Sequence, residues 1–325
     1  GPTCMVRPIK PSGPRMGCPA KTPLMEPSDK LASRLLLAAL GLLLLLAVWL
    51  SLALGPVSLP LGETLRAGLR LLGVPLDGAG LERAELILGQ IRVPRTLLGL
   101  AVGAVLALTG VSMQGLFRNP LADPGLVGVS SGAAMGAAFA IVLGAAWGGL
   151  PEVLAPYLLS ASAFAGGLLV TGLVFRLGRR EGQTSVAYML LAGVALTALS
   201  GAVIGLLTYL ADDATLRSLT FWNLGSLNGA SYARLWPLLL VAAAVALWLP
   251  RRARALNALL LGESEARHLG FDVERLKREL VLCTALGVGA AVAAAGPGRA
   301  VAGAVSDAAL GAASGAGSGG SVLMT

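Results

Sequence analysis

Long uncharged, apolar runs recur along this chain, and each is close to the roughly 20 residues that a helix needs to cross a bilayer. Nothing in the sequence shows the alternating ten-residue segments of a membrane β-barrel. The pattern therefore predicts an all-α, polytopic helical membrane protein with about seven spans. They cover approximately residues 31–54, 96–115, 125–147, the run from just after Pro156 to 175, 186–210, 232–249 and 280–295.

Two polar stretches between these spans predict short helices that do not cross the membrane. In the long loop 55–94, Leu61, Leu65, Leu69 and Leu72 fall on one stripe, which is typical of a helix lying on the membrane surface. The stretch 216–230 is too short and too polar for a span. We expect it to form a short helix near the outer face.

A third polar stretch, 256–279, predicts helices on the cytoplasmic side. Gly262 divides its first part into two short helices, and the second begins with Glu263 and Glu265 and ends before Gly270. Acidic residues at a helix start and a glycine just after its end are favourable caps. We expect this capped helix pair to present four apolar residues on one side: Leu259, Leu260, Ala266 and Leu269.

The composition agrees with a membrane protein, since 55% of the residues are hydrophobic, 13% are charged and the mean hydropathy is +0.78. The net charge of +8 would suggest nucleic-acid binding in a soluble protein. Here it marks cytoplasmic loops: with a cytoplasmic N-terminus, 17 of the 25 Lys and Arg residues fall inside. We expect that orientation and no nucleic-acid partner.

Apart from Arg34 and Arg234, near the starts of the first and sixth spans, the predicted spans contain no Asp, Glu, Lys, Arg or His, which argues against a proton- or sodium-coupled carrier. If the protein moves a substrate, the energy must enter through another subunit. Three separated cysteines without CxxC spacing and the single His268 predict neither a disulfide framework nor a metal site. Small-residue ladders predict close helix packing: Gly99/Gly103, Gly128/Gly132/Gly136 and Gly201/Gly205.

Several sequence motifs between Leu31 and Pro297 resemble those of a known protein family and occur in the same order. The strongest is RVPRTLLGLAVGAVLALTGVSMQGLFRNPLADPGLVGVSSG at 92–132, followed by LLAGVAL, LRSLTFWNLGSL, LLLGESEARHLGFDVERLKRE and AAVAAAGP. These blocks resemble the permease subunits of bacterial ATP-binding cassette (ABC) importers for iron–siderophore, haem and cobalamin. The stretch LADDATLRSLTFWNLGSL looks most like the haem-transporting branch. Tyr188 and Tyr209 could be haem contacts, or interfacial or core aromatics.

The resemblance implies a type II ABC importer permease fold, typically with ten spans, in the bacterial cytoplasmic membrane. It implies a homodimer that works with two ABC ATPase subunits and a periplasmic solute-binding protein. The permease would carry no catalytic residues and bind no cofactor, because the partner subunits use the ATP. Its substrate would be haem or a related iron chelate, with a ferric siderophore or cobalamin as the alternative.

The resemblance also implies roles for individual residues. Arg92 and Arg95 would dock the binding protein, although headgroup binding or pairs with Glu82 or Glu85 would also explain them. Thr184 and Ser185 would lie near a cytoplasmic gate, or simply cap the helix that follows. The ATPase would couple through Leu259, Leu260, Gly262, Glu263, Ala266, Leu269 and Gly270. The signature turn comprises Arg118, Asn119, Pro120, Asp123 and Pro124.

The sequence divides into a Pro-rich N-terminal extension (1–30), a permease domain (31–297) and a Gly/Ala/Ser-rich tail (298–325) that does not match the family. Met16 and Met25 are both plausible starts. We expect the tail to reflect a frameshift or truncation, with a genuine seven-span protein as the alternative. A truncated, non-transporting scaffold that still binds the ATPase is a second functional hypothesis, and a secondary carrier is a third.

Overall fold

The computed structural model describes residues 27–54, 59–71, 73–74, 80–146, 155–180, 182–227 and 230–296. The predicted N-terminal extension up to residue 26 and the tail from residue 297 lie outside the described residues. The chain divides into two compact units, residues 1–51 and 52–325. The described part of the first unit consists of a single helix without its last two residues.

Helices make up nearly all of the described chain. They are α1 (Pro27–Ala53), α2 (Leu61–Leu71), α3 (Leu81–Ile87), α4 (Val93–Phe117), α5 (Val129–Ala146), α6 (Ala155–Leu177), α7 (Val186–Leu210), α8 (Asp213–Leu224), α9 (Tyr232–Trp248), α10 (Ala253–Leu261), α11 (Glu263–His268) and α12 (Val273–Ala295). A π-helical turn, Leu88–Arg92, joins α3 to α4, and 3₁₀ turns occupy Pro124–Val127 and Leu249–Arg252.

The prediction of an all-α membrane protein is confirmed. Six helical segments of the described chain are long and apolar enough to cross a membrane, and α5 is a shorter apolar helix at the position of a seventh predicted span. The predicted span 186–210 coincides with α7. One addition is a small antiparallel hairpin of β1 (Arg179–Arg180) and β2 (Gln183–Thr184), hereafter the hairpin.

The predicted loop 55–94 is wrong in its second half. A continuous helical segment runs from Leu81 to Phe117, so the second span begins about fifteen residues earlier than Thr96. Pro94 cannot donate a backbone hydrogen bond, but the helix passes it through the π turn, in which the Val93 N–H donates to the Leu88 carbonyl five residues back. The helix predicted from Leu61, Leu65 and Leu69 is present as α2, while Leu72 lies outside the described residues, and the location of α2 on a membrane surface stays a prediction.

The predicted boundary between a polar stretch and a last span at residue 280 is also wrong. The last helix, α12, begins at Val273, where the Asp272 side chain accepts a hydrogen bond from the Arg275 N–H. The charged residues up to Glu279 therefore form the first two turns of a spanning helix. Its later turns are buried among α4, α6 and α9, which makes α12 the central helix of the bundle.

Close helix packing explains part of the glycine ladders. Gly132 and Gly136 of α5 lie against Gly166 and Ser162 of α6 so closely that a Cβ on either glycine would overlap backbone atoms. Gly201 and Gly205 of α7 differ, because a Cβ there would meet nothing within 4 Å in the described chain. For these two glycines the prediction of close packing is not met within one subunit.

Candidate functional site

Three predicted functional segments meet at one end of the helix bundle. They are the signature turn (Arg118–Val127), the hairpin, and the helix pair α10–α11; together with the first two turns of α12 we call them the hairpin end. The Leu256 side chain of α10 packs against Gly115 in the last turn of α4, which leads into the signature turn, and the Leu126 carbonyl oxygen lies against Gly193 of α7, the helix that follows the hairpin.

The signature turn is held by its own side chains. Arg118 ends α4 in the left-handed conformation at φ 50°, and the Asn119 side-chain oxygen accepts the Leu121 N–H at 2.9 Å. The Asp123 carboxylate accepts the Gly125 N–H at 2.6 Å and starts the 3₁₀ turn, in which Pro124 occupies the first position. The turn therefore has a defined conformation, and its functional role stays a prediction.

The helix pair α10–α11 is capped as the sequence predicts. Gly262 separates the two helices at φ 132°, and Gly270 ends α11 at φ 85°, conformations that side chains disfavour. The Gly270 N–H donates to the Arg267 carbonyl at 2.9 Å, and the Phe271 N–H donates to the Ala266 carbonyl at 3.1 Å. These two bonds form a Schellman motif, so α11 ends at a defined position.

The four apolar residues predicted to share one face of this pair divide between two faces, which corrects the prediction. Leu259 and Ala266 are buried in the main core. Leu260 and Leu269 are exposed, at 53% and 61%, and Leu261, which the sequence analysis did not single out, is 72% exposed. The buried residues hold the pair to the bundle, and the exposed leucines form an outward apolar surface.

The predicted gate residues lie where the hairpin enters α7. Thr184 is the last residue of β2 and is buried, and Ser185 is the N-cap residue of α7. The Ser185 side chain makes no capping hydrogen bond, so the alternative that it caps the helix through its hydroxyl is not met. Tyr188, one of the two tyrosines considered as haem contacts, lies beside the hairpin. Arg180 donates to its hydroxyl at 3.1 Å and lies over its ring.

A charge cluster around the buried Lys277 lies at the hairpin end and was not predicted from the sequence. Lys277 of α12 is only 1% exposed, and its Nζ lies 2.8 Å from Glu263 Oε1 and 3.5 Å from Glu274 Oε1. It also donates to the Thr184 carbonyl at 2.6 Å. The sequence shows a lysine and several glutamates in the polar stretch 256–279. Nothing in that local pattern indicates that Lys277 points into the protein.

Arg92 and Arg95, predicted to dock a partner, lie at the π turn away from the hairpin end. Arg92 is 4% exposed and donates to the carbonyls of Leu52 and Ala53 at 2.7 and 2.8 Å. A guanidinium held in this way must leave its acceptors before it can meet a partner's carboxylate. Arg95 is partly exposed. Glu85, the alternative partner, instead pairs with Arg70 at 3.4 Å.

Among the described residues, no group of three His, Cys, Asp or Glu side chains is placed to hold a metal ion. The helix α7 exposes an unusually large number of apolar side chains. Its leucine, valine and tyrosine side chains are exposed along most of its length, including Leu191, Val194, Leu199, Leu206 and Tyr209. An apolar helix that buries so little in its own subunit is available to lipid or to another protein chain.

The chain is similar to curated importer permeases. The hemin transport system permease protein HmuU of Yersinia pestis is 47% identical over 213 residues, which are 64% of this chain and 61% of that protein. The vitamin B12 import system permease protein BtuC of Klebsiella pneumoniae is 39% identical over 264 residues, 81% of this chain and 72% of that protein. The chain thus spans about three fifths of the hemin permease and under three quarters of the B12 permease.

A solved structure and a family model agree with these relatives. A metal-chelate type ABC transporter in an inward-facing conformation matches with a TM-score of 0.65 and 28% identity, over 85% of this chain and 88% of that one. The model of the FecCD transport family matches residues 43–298, which is most of the chain. The chain belongs to the FecCD transport family.

Proposed function

We propose that this chain is the membrane permease subunit of an ABC importer that carries haem or a related iron chelate inward. The observation that carries the proposal is the match of residues 43–298 to the FecCD family, together with the 47% identity to a hemin permease. In this proposal the protein lies in the bacterial cytoplasmic membrane with its N-terminus inside. Because the charged hairpin end then faces the cytoplasm, it meets the ATP-hydrolysing partners.

The α10–α11 pair is our candidate for the ATPase contact. Its exposed leucines, Leu260, Leu261 and Leu269, stand on two short helices whose ends are fixed by Gly262 and Gly270. Exposed apolar side chains on a rigid, capped element suit insertion into a partner's groove. Glu263, Leu259 and Ala266 then belong to the support of this contact rather than to its surface.

Arg95 is our candidate for contact with the solute-binding protein at the opposite end. It is partly exposed, whereas Arg92 is occupied with the end of α1. Exposed ion pairs contribute only about 0.2–1 kcal/mol each, so the role of Arg95 is steering and register rather than affinity. Arg92 would support this role indirectly by fixing the backbone from which Arg95 projects.

A second copy of the chain would pack on α7. The open glycines Gly201 and Gly205 are four residues apart and lie on one face, where small residues let two helices approach closely. The large exposed side chains around them supply apolar contact area. A homodimer of this kind would place the two α7 helices, and with them Thr184 and Ser185, beside a shared central pathway.

Two substrate classes are candidates, because both hemin and vitamin B12 permeases are among the relatives. The higher identity is to the hemin permease, and we therefore put haem first. Cobalamin or a ferric siderophore is the second candidate, since the B12 permease matches over a larger share of the chain.

Reconstitution tests the proposal. The full chain is placed in proteoliposomes with cognate ATPase and binding protein, and uptake of hemin, cobalamin and a ferric siderophore is measured with and without ATP. ATP-dependent hemin uptake above the other two is the expected result. Binding of the ATPase without any uptake would favour the scaffold hypothesis, and uptake driven by an ion gradient without ATP would contradict the proposal.

A double substitution tests the ATPase contact. Leu260→Asp with Leu269→Asp should abolish co-purification of the ATPase while leaving the fold intact, because both side chains are exposed. The matched control is Leu224→Asp, a 65% exposed leucine at the end of α8. Unchanged co-purification in the double variant would count against this surface.

A further inference from the structure

Lys277 connects three separate elements of the hairpin end through one ammonium group. Its three protons have three acceptors: the Thr184 carbonyl at 2.6 Å, Glu263 Oε1 at 2.8 Å and Glu274 Oε1 at 3.5 Å. Thr184 ends the hairpin, Glu263 begins α11, and Glu274 belongs with Lys277 to α12. At 1% exposure, the ammonium depends on these groups in place of water.

The backbone of Thr184 is held from both sides by α12. Its N–H donates to Glu274 Oε2 at 2.9 Å, while its carbonyl accepts from Lys277. Ser185 follows directly and α7 begins at Val186. Two charged side chains of α12 therefore help to fix the position at which the chain enters α7, together with the Ser185 N–H, which donates to the Gly178 carbonyl at 3.0 Å.

The same ammonium holds the first residue of α11. Glu263 is also within 3.6 Å of Arg267, so the cluster contains two carboxylates and two cations and is balanced in charge. A displacement of α11 that moves Glu263 must either carry Lys277 with it or break this bond. In both cases the hold on the Thr184 carbonyl changes, because one nitrogen serves both acceptors.

Packing alone does not explain a lysine at this position. A buried charged group commonly adds no stability over an apolar side chain of similar size, because it loses its hydration; Lys277 is 1% exposed, whereas the Glu263 and Glu274 side chains keep 30% and 29% exposure. In the part of the chain that the structure describes, the buried Thr184 hydroxyl also has no hydrogen-bond partner. An unpartnered buried hydroxyl costs free energy in the present arrangement, which lowers the cost of shifting the hairpin against α12.

We propose that Lys277 is a positioning residue that transmits movement of α11 to the hairpin and the start of α7. The proposal rests on the proposed function, in which an ATPase moves α11, and it adds the residue through which that movement reaches Thr184 and Ser185. When the ATPase shifts α11, Glu263 moves, Lys277 releases or redirects the Thr184 carbonyl, and the first turn of α7 changes position.

A thiol at Ser185 reports on this movement. Ser185→Cys is made in a background in which Cys4, Cys18 and Cys283 are replaced, and its labelling rate by a maleimide is measured in the complex with ATPase, with and without ATP. Uptake per ATP hydrolysed is measured in parallel. In the parent, ATP should change the labelling rate, because Ser185 is only half-buried and lies at the moving junction.

Lys277→Met should leave the ATPase bound and hydrolysing, but should reduce the ATP-dependent change in labelling and the uptake per ATP at least about fivefold, an ordinary coupling effect. The matched control is Arg275→Met in the same turn of α12. Arg275 also pairs with a glutamate, Glu279 at 2.9 Å, but it is largely exposed and neither the hairpin nor α11 is its partner. This control should keep both signals.

An undiminished labelling response in Lys277→Met would overturn the inference. A purely structural role would instead lower the unfolding temperature and leave the response intact. If Lys277→Met fails to assemble, Glu263→Gln decides, since the amide keeps the shape and weakens the pair; a response equal to the parent's would again overturn the inference. A parent that responds at Ser185 but carries no substrate would contradict the proposed function alone, and a parent without any response would contradict the inference.

Discussion

At the scale of single residues, the contact between α5 and α6 depends on the absence of side chains. Gly136 faces the Ser162 carbonyl, and Gly132 faces the Gly166 carbonyl, so the two helix backbones touch. Helices gain no hydrophobic driving force from each other inside a bilayer, and close van der Waals contact of this kind replaces it. A methyl group at either glycine must push the helices apart.

We therefore expect Gly136→Ala to destabilise the protein by about 1–3 kcal/mol, the usual cost of overpacking. The measurement is the thermal unfolding midpoint in detergent. Gly172→Ala in α6 is the control, because a Cβ there meets nothing within 4 Å in the described chain. Equal midpoints for the two variants would show that the α5–α6 contact is looser than described.

Arg92 and Arg95 are close in sequence but differ in environment, so substitutions at the two positions should have different effects. Arg92→Gln removes donors from the Leu52 and Ala53 carbonyls and should cost about 1–3 kcal/mol of stability.

Arg95→Glu should leave the unfolding midpoint unchanged and slow association with the binding protein, more at low salt than at high salt. Association rates measured at two salt concentrations test this; a normal rate for Arg95→Glu would remove it from the docking surface.

At the scale of elements, α11 is too short to be stable by itself, and its ends fix it. The hydrogen bonds of Gly270 and Phe271 to the Arg267 and Ala266 carbonyls close its last turn. They require Gly270 at φ 85°, a conformation that costs an L-residue about 1–2 kcal/mol. This cap keeps Leu269, the C-cap residue of α11, in a defined exposed position.

Gly270→Ala should accordingly loosen the end of α11. We expect faster hydrogen exchange at the amides of residues 270 and 271 and weaker ATPase binding, with little change elsewhere in the bundle. Gly62→Ala in α2 serves as the control, since that glycine has open space around it and no positive φ. Unchanged exchange at residues 270 and 271 would argue that the cap does not hold the helix.

The N-terminus of α8 provides a pH-dependent element. The side-chain and backbone hydrogen bonds to Thr215 lower the pKa of Asp212, which caps this helix. A lowered pKa means that the ionised cap stabilises α8 at neutral pH and that this stabilisation is lost only as the pH falls through the lowered value. We expect the fluorescence of Trp222, in a variant without the other tryptophans, to change below about pH 4, and Asp212→Asn to remove this transition.

At the scale of the whole molecule, the described subunit leaves α7 largely uncovered. If a second copy covers it, Gly201→Leu and Gly205→Leu should shift the protein from dimer to monomer without lowering the stability of the subunit, because a Cβ at either position meets nothing in the described chain. Light scattering of the detergent-solubilised protein measures this. Gly172→Leu, an open glycine on α6, should stay dimeric, and three dimeric variants would exclude this face of α7.

The sequence by itself determined the membrane class, most of the span positions, the signature turn and the caps of α11. Each of these depends on local chemistry: uncharged length, Asp and Asn side chains that bond nearby amides, and glycines that adopt positive φ. The helix through Pro94 was not predictable in this way. A proline normally ends a helix, and only the π turn that accommodates it allowed the helix to continue.

Only the tertiary structure decided which way side chains point and what they meet. It placed Arg92 inside, divided the leucines of α10–α11 between the core and the surface, and brought Lys277, Glu263 and Thr184 together from three elements. The physical reason is that burial and ion pairing depend on neighbours that are distant in sequence. A local sequence pattern shows which residue types recur and at what spacing. A contact between distant residues, such as Lys277 with Thr184, forms only after the helices have packed.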